Sequence, residues 1–219
     1  MRALVLFTTL TLGAVACGTQ QGPSGGGDNL PVSGGGPFRS ITSGEGLGFD
    51  PPRLLVDLSG DYDHPVVLRH GDELAMWLTL EKGGIASILH TDTARLEDGF
   101  ETPVLALAAD QTWKGDRVFG PSVLEGDPWL LFYATGLGTI GVATAPDGHA
   151  WQKQSAPIFA PAGRSVTLPS AVQLGDRIRL YYQEAGVLWA VEAPRAAVVA
   201  GTPTWVELDG DGRTAQRDP

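Results

Sequence analysis

The sequence predicts an all-β fold of repeated four-stranded antiparallel sheets, and three observations support that prediction. First, three segments align on a proline: 64–78, 120–134 and 168–183. Second, each segment has a short apolar run that ends at a Gly-Asp pair, as a hairpin strand does. Third, an aromatic residue lies five positions after each of these aspartates. We therefore expect the three segments to form the first two strands of three equivalent units.

Each unit continues in the same way after a second turn. A third strand is predicted at 85–91, 139–144 and 187–192, and a fourth at about 101–107, 154–160 and 203–208. Strands joined by such short turns pair as antiparallel neighbours. A four-stranded unit of roughly fifty residues, repeated around an axis, is the blade of a β-propeller. A β-sandwich with coincidental Gly-Asp hairpins is the alternative.

The number of repeats predicts an incomplete propeller. Closed propellers have about four to eight blades, whereas three clear repeats lie between residues 65 and 208. The segment 49–58 is a candidate for one more outer strand. A homodimer that completes the propeller is a further possibility.

An Asp-Gly turn followed by Trp151 predicts how neighbouring blades are sealed. The turn ends the third strand of the second repeat, so we expect Trp151 to be buried between blades. Phe100 and Trp205 are the weaker counterparts of Trp151 in the first and third repeats.

The N-terminal segment predicts export and lipid attachment. Residues 1–16 have one Arg and an apolar stretch too short to span a bilayer, as in a signal peptide. The segment Ala14–Cys17 resembles the bacterial lipobox, which makes Cys17 the predicted lipid anchor; ordinary cleavage before an incidental Cys is the alternative. Residues 17–48 are rich in Gly, Ser and Pro and are predicted to be a flexible tether. The domain follows at 49–208, with a disordered tail at 209–219.

Charge and cysteine content narrow the possible partners. The 219-residue chain has a formal net charge of −10, which argues against a nucleic-acid partner. Cys17 is the single cysteine, so the chain has no intrachain disulfide. The residue after Cys17 is Gly18 rather than Asp. By resemblance to the sorting rule of bacterial lipoproteins, this favours anchoring in the outer membrane, with the domain on its periplasmic or outer face.

Two segments of the second repeat, "GPSVLEGDPWLLFYATG" (120–136) and "IGVATAPDGHAWQK" (140–153), resemble a known family. They are similar to blades of the five-bladed glycoside hydrolases, a group that includes arabinanases, β-xylosidases, arabinofuranosidases and invertase-like fructosidases. The resemblance covers about residues 50–208 and implies a central site for a glycan or oligosaccharide. Its matching residues are mainly structural, so they identify the blade rather than the chemistry.

The resemblance also implies where catalytic acids would lie, namely at the starts of the innermost strands. Asp63, at the start of the first innermost strand, is near the position of the family's base, with Asp61 beside it. Asp116, at the start of the second innermost strand, is a weaker match. The third strand start carries Arg164, Ser165 and Thr167 and has no acid. Further candidates for ligand binding near strand starts are His64, Trp113, Arg117 and Arg164.

The remaining polar residues give no further site. Asp72, Asp127 and Asp176 are predicted to be hairpin-turn residues, and Glu125 and Glu184 to be solvated beside turns. The four histidines show no metal-ligand spacing, so no metal or cofactor is predicted. Three functions stay open: glycan binding with weak or no hydrolysis, a glycosidase with an unusual acid, and a protein-interaction module.

Overall fold

The computed structural model describes residues 61–95 and 98–208, which all belong to one compact unit. Their strands form three four-stranded sheets, whose members are given in chain order. The first sheet contains β1 (Asp61–His70), β2 (Glu73–Lys82), β3 (Ile85–Thr93) and β4 (Val104–Leu107). The second sheet contains β5 (Val118–Leu124), β6 (Trp129–Thr135), β7 (Ile140–Ala145) and β8 (Gln152–Lys153). The third sheet contains β9 (Thr167–Leu174), β10 (Arg177–Glu184), β11 (Val187–Pro194) and β12 (Val206–Leu208).

The predicted fold class is confirmed, because every sheet is an antiparallel meander in chain order, as in a propeller blade. The Gly-Asp pairs lie in the turns that join the first two strands of each sheet. Two short helical segments occur in connections: a 3-10 turn at Thr112–Lys114 and α1 at Arg195–Val199. Within the described part of the chain, no helix is long and apolar enough to cross a membrane.

The fourth strands are shorter than predicted. β4 begins at Val104, just after Pro103, because proline has no N–H to donate to a strand neighbour. β12 begins only at Val206, after Pro203 and two further residues. In the second sheet, regular pairing covers Gln152–Lys153 rather than the predicted 154–160. Beyond these residues, the Gln154 N–H donates to the Val142 carbonyl, and Phe159 forms an isolated bridge with Ile140 after Pro157.

A β-bulge in each innermost strand explains the proline repeat. In β1, β5 and β9, two residues oppose one residue of the neighbouring strand. The bulged pairs are His64-Pro65, Gly120-Pro121 and Leu168-Pro169. The residue before each proline has a positive φ of 50°, 60° and 51°, respectively. The repeat therefore encodes a backbone kink at the start of each innermost strand.

Two apolar layers join the three sheets. The layer between the first and second sheets contains Trp77, Trp129 and Tyr133, and the layer between the second and third contains Phe132 and Tyr182. Trp151 packs against the first of these layers, with its ring centroid 6.4 Å from that of Trp77. It is partly buried there.

Several predictions concern residues outside the described part of the chain. These are the signal peptide at 1–16, the tether at 17–48, the lipid anchor at Cys17, the additional strand at 49–58 and the tail at 209–219.

Candidate functional site

The bulged starts of the innermost strands lie next to one another at one end of the sheets. The His64 and Phe119 ring centroids are 6.3 Å apart. A Cβ on Gly120 would lie 3.7 Å from a Leu168 side-chain carbon. The backbone N–H of Gly120 donates to Thr79 Oγ1 at 3.1 Å, which fixes β5 against the first sheet. Bulges commonly redirect side chains near active sites, so this end is the candidate functional site.

Asp63 and His64 form an exposed pair on the first bulge. His64 Nδ1 lies 2.6 Å from Asp63 Oδ1, and the two side chains are 37% and 53% exposed. The positive φ of His64 is strained for a residue with a side chain, at a typical cost of about 1–3 kcal/mol. Gly120 meets the same backbone requirement on β5 without that strain.

A charged and aromatic group lies beside this pair. Arg117 Nη2 donates to Glu81 Oε2 at 2.7 Å, and the Arg117 guanidinium carbon lies 5.1 Å from the Phe119 ring centroid. The buried Nε of Arg117 has no hydrogen-bond partner among the described residues. We call Asp63, His64, Glu81, Arg117 and Phe119 the strand-start site. It offers carboxylate acceptors, a guanidinium group and an aromatic ring.

The other two predicted acids lie at the same end. Asp61 is the cross-strand partner of Glu81 in the β1–β2 pair, and its side chain is exposed. The Asp116 side chain is exposed, and within residues 61–95 and 98–208 it makes no ion pair. The Asp116 backbone carbonyl accepts a hydrogen bond from the Ala86 N–H at 3.2 Å. Their catalytic and binding roles stay predictions.

Arg164 is held by two carboxylates at the start of the third sheet. Arg164 Nη1 donates to Glu184 Oε2 at 3.1 Å, and Nη2 donates to Glu207 Oε1 at 2.7 Å. Burial lowers the pKa of Arg164, but the hydrogen bond and charge of Glu207, together with other nearby groups, raise it overall. The expectation that Glu184 is solvated is wrong, because its side chain is only 18% exposed.

Trp113 lies against a buried lysine rather than standing free. Its ring stacks on Tyr133 at a centroid distance of 6.3 Å, and the ammonium of Lys114 is 5.5 Å from each ring. Lys114 donates to Asp110 Oδ1 at 3.1 Å, and Lys153 donates to the other Asp110 oxygen. The Trp113 side chain is partly buried, so a ligand could reach only part of its indole. A binding role for Trp113 stays a prediction.

Sequence reasoning missed Glu81 and Phe119. Glu81 looks like an exposed residue before the Gly83-Gly84 turn, and its contact with Arg117 joins residues that are far apart in sequence. A signal for Phe119 was available, because it stands two positions before Pro121, as Asp63 does before Pro65. Glu125, in contrast, lies at the opposite end of the second sheet and contacts His70 Nδ1 at 2.8 Å.

Comparisons with solved structures identify the fold. A thermostable family-43 glycoside hydrolase aligns at 18% identity with a TM-score of 0.55, over 75% of this chain and 62% of that chain. The β-1,2-mannobiose phosphorylase of Listeria innocua aligns at 15% identity and a TM-score of 0.54, over 65% and 47% of the two chains. The GH62 α-L-arabinofuranosidase catalytic domain of Coprinopsis cinerea aligns at 14% identity with a TM-score of 0.51, over 65% of this chain and 50% of that chain.

The chain spans about half to three fifths of the length of these structures. No protein-family model matches the chain, and no curated protein matches it. At these identities the comparisons identify the fold, which is a glycoside-hydrolase-like β-propeller with three four-stranded blades.

Proposed function

We propose that this chain is a carbohydrate-binding propeller with weak or no hydrolytic activity, and that the strand-start site binds the sugar. The observation that carries the proposal is the exposed Asp63–His64 pair beside Arg117 and Phe119. Carboxylate and guanidinium groups hydrogen-bond sugar hydroxyls, and an aromatic ring packs against the apolar face of a sugar ring. The Arg117 side chain is 41% exposed, so a ligand can reach it.

The chemistry of the nearby carboxylates supports binding over hydrolysis. Glycoside hydrolysis requires one ionised carboxylate and one protonated carboxylic acid. Glu81, Glu184 and Glu207 each form an ion pair with an arginine. Arg164 occupies the third strand start, where the resemblance implies an acid, and a guanidinium does not protonate a leaving oxygen. Loss of general acid help typically costs about 10²–10⁴ in rate.

The structural neighbours support a sugar as the ligand only through the shared fold. The Listeria innocua phosphorylase structure is a complex with β-1,2-mannobiose. A GH62 hydrolase with a TM-score of 0.50 is a complex with xylotriose. Because one fold supports many functions, the residues of the strand-start site carry the proposal.

A glycan array on the full chain tests this function. The Cys17→Ser variant serves as the parent protein, because it removes the predicted lipid. We expect binding to at least one glycan, and Asp63→Asn should weaken it about tenfold, the value of one lost charged hydrogen bond. Asp72→Asn is the matched control, because Asp72 is an exposed turn aspartate at the other end of β1.

Two outcomes would contradict the proposal. The first is equal binding by the parent and Asp63→Asn proteins. The second is turnover of arabino-, xylo- or fructo-oligosaccharides at ordinary enzyme rates of about 1–10³ per second. That result would favour the alternative, an active glycosidase, with Asp63, Asp116 and Glu81 as the first residues to substitute.

We also propose that Cys17 carries a lipid that anchors the protein to the bacterial outer membrane. Support comes from Ala14–Cys17 and from the Gly-rich segment that follows it. The wild-type chain should fractionate with membranes, and Cys17→Ala should release it. A soluble wild-type chain with an unmodified Cys17 by mass spectrometry would refute the anchor.

A further inference from the structure

Three potential metal ligands meet at the end of the sheets opposite the strand-start site. His90 and Asp92 alternate on β3, so both side chains lie on the face that packs against the second sheet. His149 belongs to the connection between β7 and β8 of that second sheet. One potential ligand atom from each of the three residues lies within 4.8 Å of the other two. The His90 and His149 ring centroids are 4.7 Å apart.

The chemistry of His90 points to a ligand at this position. Its side chain is only 5% exposed, and Nε2 has no hydrogen-bond partner among the described residues, although Asp92 Oδ1 lies 3.1 Å away. Buried polar atoms are normally satisfied, and here the near neighbour of Nε2 is itself a potential ligand, Asp92. A neutral imidazole is the form that binds a metal.

The surrounding structure holds the three ligands in place. The Trp77 ring packs against His90 at a centroid distance of 4.9 Å. On the other side, Asp147 Oδ1 accepts hydrogen bonds from the backbone N–H groups of His149 and Ala150, at 2.9 and 3.1 Å. These bonds fix the backbone of His149, whose exposed side chain packs edge-on against the His90 ring.

We propose that His90, Asp92 and His149 form a binding site for a divalent transition-metal ion, with Zn²⁺ as the reference ion, that links the first sheet to the second. Two histidines and one carboxylate are a common zinc ligand set, which leaves one position for water. Bonds of about 2.0–2.2 Å in tetrahedral zinc place neighbouring ligand atoms about 3.3–3.6 Å apart. His90 Nε2 and Asp92 Oδ1 are already near this separation, so the required movement falls on the His149 side chain.

Calorimetric titration with Zn²⁺ tests the site in the full chain. The Cys17→Ser protein is again the parent, because it removes the only thiol of the chain. We expect one equivalent of Zn²⁺ to bind and to raise the melting temperature. Co²⁺, titrated separately, should give the visible absorption bands of a low-symmetry, four- or five-coordinate site. His149→Ala and Asp92→Asn should each weaken Zn²⁺ binding at least tenfold, about 1.4 kcal/mol.

His70→Ala is the matched control for this experiment. His70 lies at the same end of the first sheet and contacts a carboxylate, Glu125, but it has no second histidine beside it. The control should bind Zn²⁺ like the parent. Since His149 and His70 are both exposed, neither substitution should prevent folding, and circular dichroism checks this. Absence of Zn²⁺ binding by the parent, or parent-like binding by His149→Ala, would overturn the proposal.

Discussion

Substitution of Gly141 by alanine tests how the second sheet is packed. Gly141 is the cross-strand partner of Tyr133 in the β6–β7 pair, and the Tyr133 side chain is fully buried. A Cβ on Gly141 would lie 2.6 Å from the Tyr133 hydroxyl oxygen and closer still to two ring carbons. The ring lies across the glycine, so the added methyl group occupies space that the tyrosine already fills.

The magnitude follows from how little the tyrosine can move. An ordinary carbon contact is about 3.5–4.0 Å, so the ring or the strand must shift by about 1 Å. Trp113 and the ammonium of Lys114 pack against the ring and oppose that shift. Overpacking of a core typically costs about 1–3 kcal/mol. We expect Gly141→Ala to lose about 2–3 kcal/mol, near the upper end of this range.

Urea denaturation measures this loss as a lower midpoint at an unchanged slope. Gly136→Ala is the control, because its Cβ would come no closer than 3.4 Å to any neighbour and its φ is not positive. A double variant with Tyr133→Leu should lose less than the sum of the single variants. A loss below about 0.5 kcal/mol, the usual range for a surface substitution, would refute the argument that Tyr133 requires the glycine.

Three further predictions concern stability. Asp110→Ala should cost about 1.5–3 kcal/mol of stability in urea denaturation, because it leaves the buried Lys114 without its carboxylate partner. Asp116→Ala is the control, and an equal loss in the two variants would contradict this prediction. Trp151→Ala should cost about 2–3 kcal/mol, below the 3–5 kcal/mol of a fully buried tryptophan. A loss under 1 kcal/mol in the same assay would show that Trp151 does not stabilise the interface between the first and second sheets. Burial lowers the pKa of His90, and the charge of Asp92 opposes this only in part, so the pKa in the folded protein lies below the unfolded value of about 6.5. The stability should therefore fall as the pH drops through 6.5, because the unfolded chain binds the proton more readily. His90→Gln should flatten this part of the urea midpoint against pH, and an unchanged slope would exclude His90 as its source.

Local signals in the sequence predicted the three sheets. A Gly-Asp hairpin and a proline at a bulge depend on a few neighbouring residues, so they can be read from one segment at a time. The fourth strands were less predictable, because proline interrupts pairing without removing the chain from the sheet. At Phe159 the backbone returns to Ile140 after such an interruption.

The candidate sites were harder to predict, because they depend on contacts between sheets. The Arg117–Glu81 pair joins two sheets, and although Arg117 is a candidate from its place near a strand start, nothing in the sequence pairs it with Glu81. His90 and Asp92 carried a usable signal, since residues two apart on a strand share a face. The third ligand, His149, is separated from them by the whole of β4, β5, β6 and β7. Spacing along the chain alone does not predict that juxtaposition.

The two outer faces of the three-sheet array differ in chemistry. On the first sheet, Met76, Leu78 and Leu89 pack with Phe100 on the face opposite the second sheet. Phe100 thus occupies the position that Trp151 occupies at the next interface, as the sequence counterparts imply. The outer face of the third sheet instead carries Arg177 and Arg179, which both donate to Glu192.

This difference bears on the predicted homodimer, which stays a prediction. Covering the third sheet would desolvate the ion pairs of Glu192 with Arg177 and Arg179, which opposes such a contact. Covering the first sheet would extend an apolar layer in which Phe100 already packs as Trp151 does at the interface between the first and second sheets. Polar outer faces end repeat arrays, whereas apolar faces continue them. The ionic face of the third sheet therefore argues against that sheet as the contact of a homodimer, which stays a prediction.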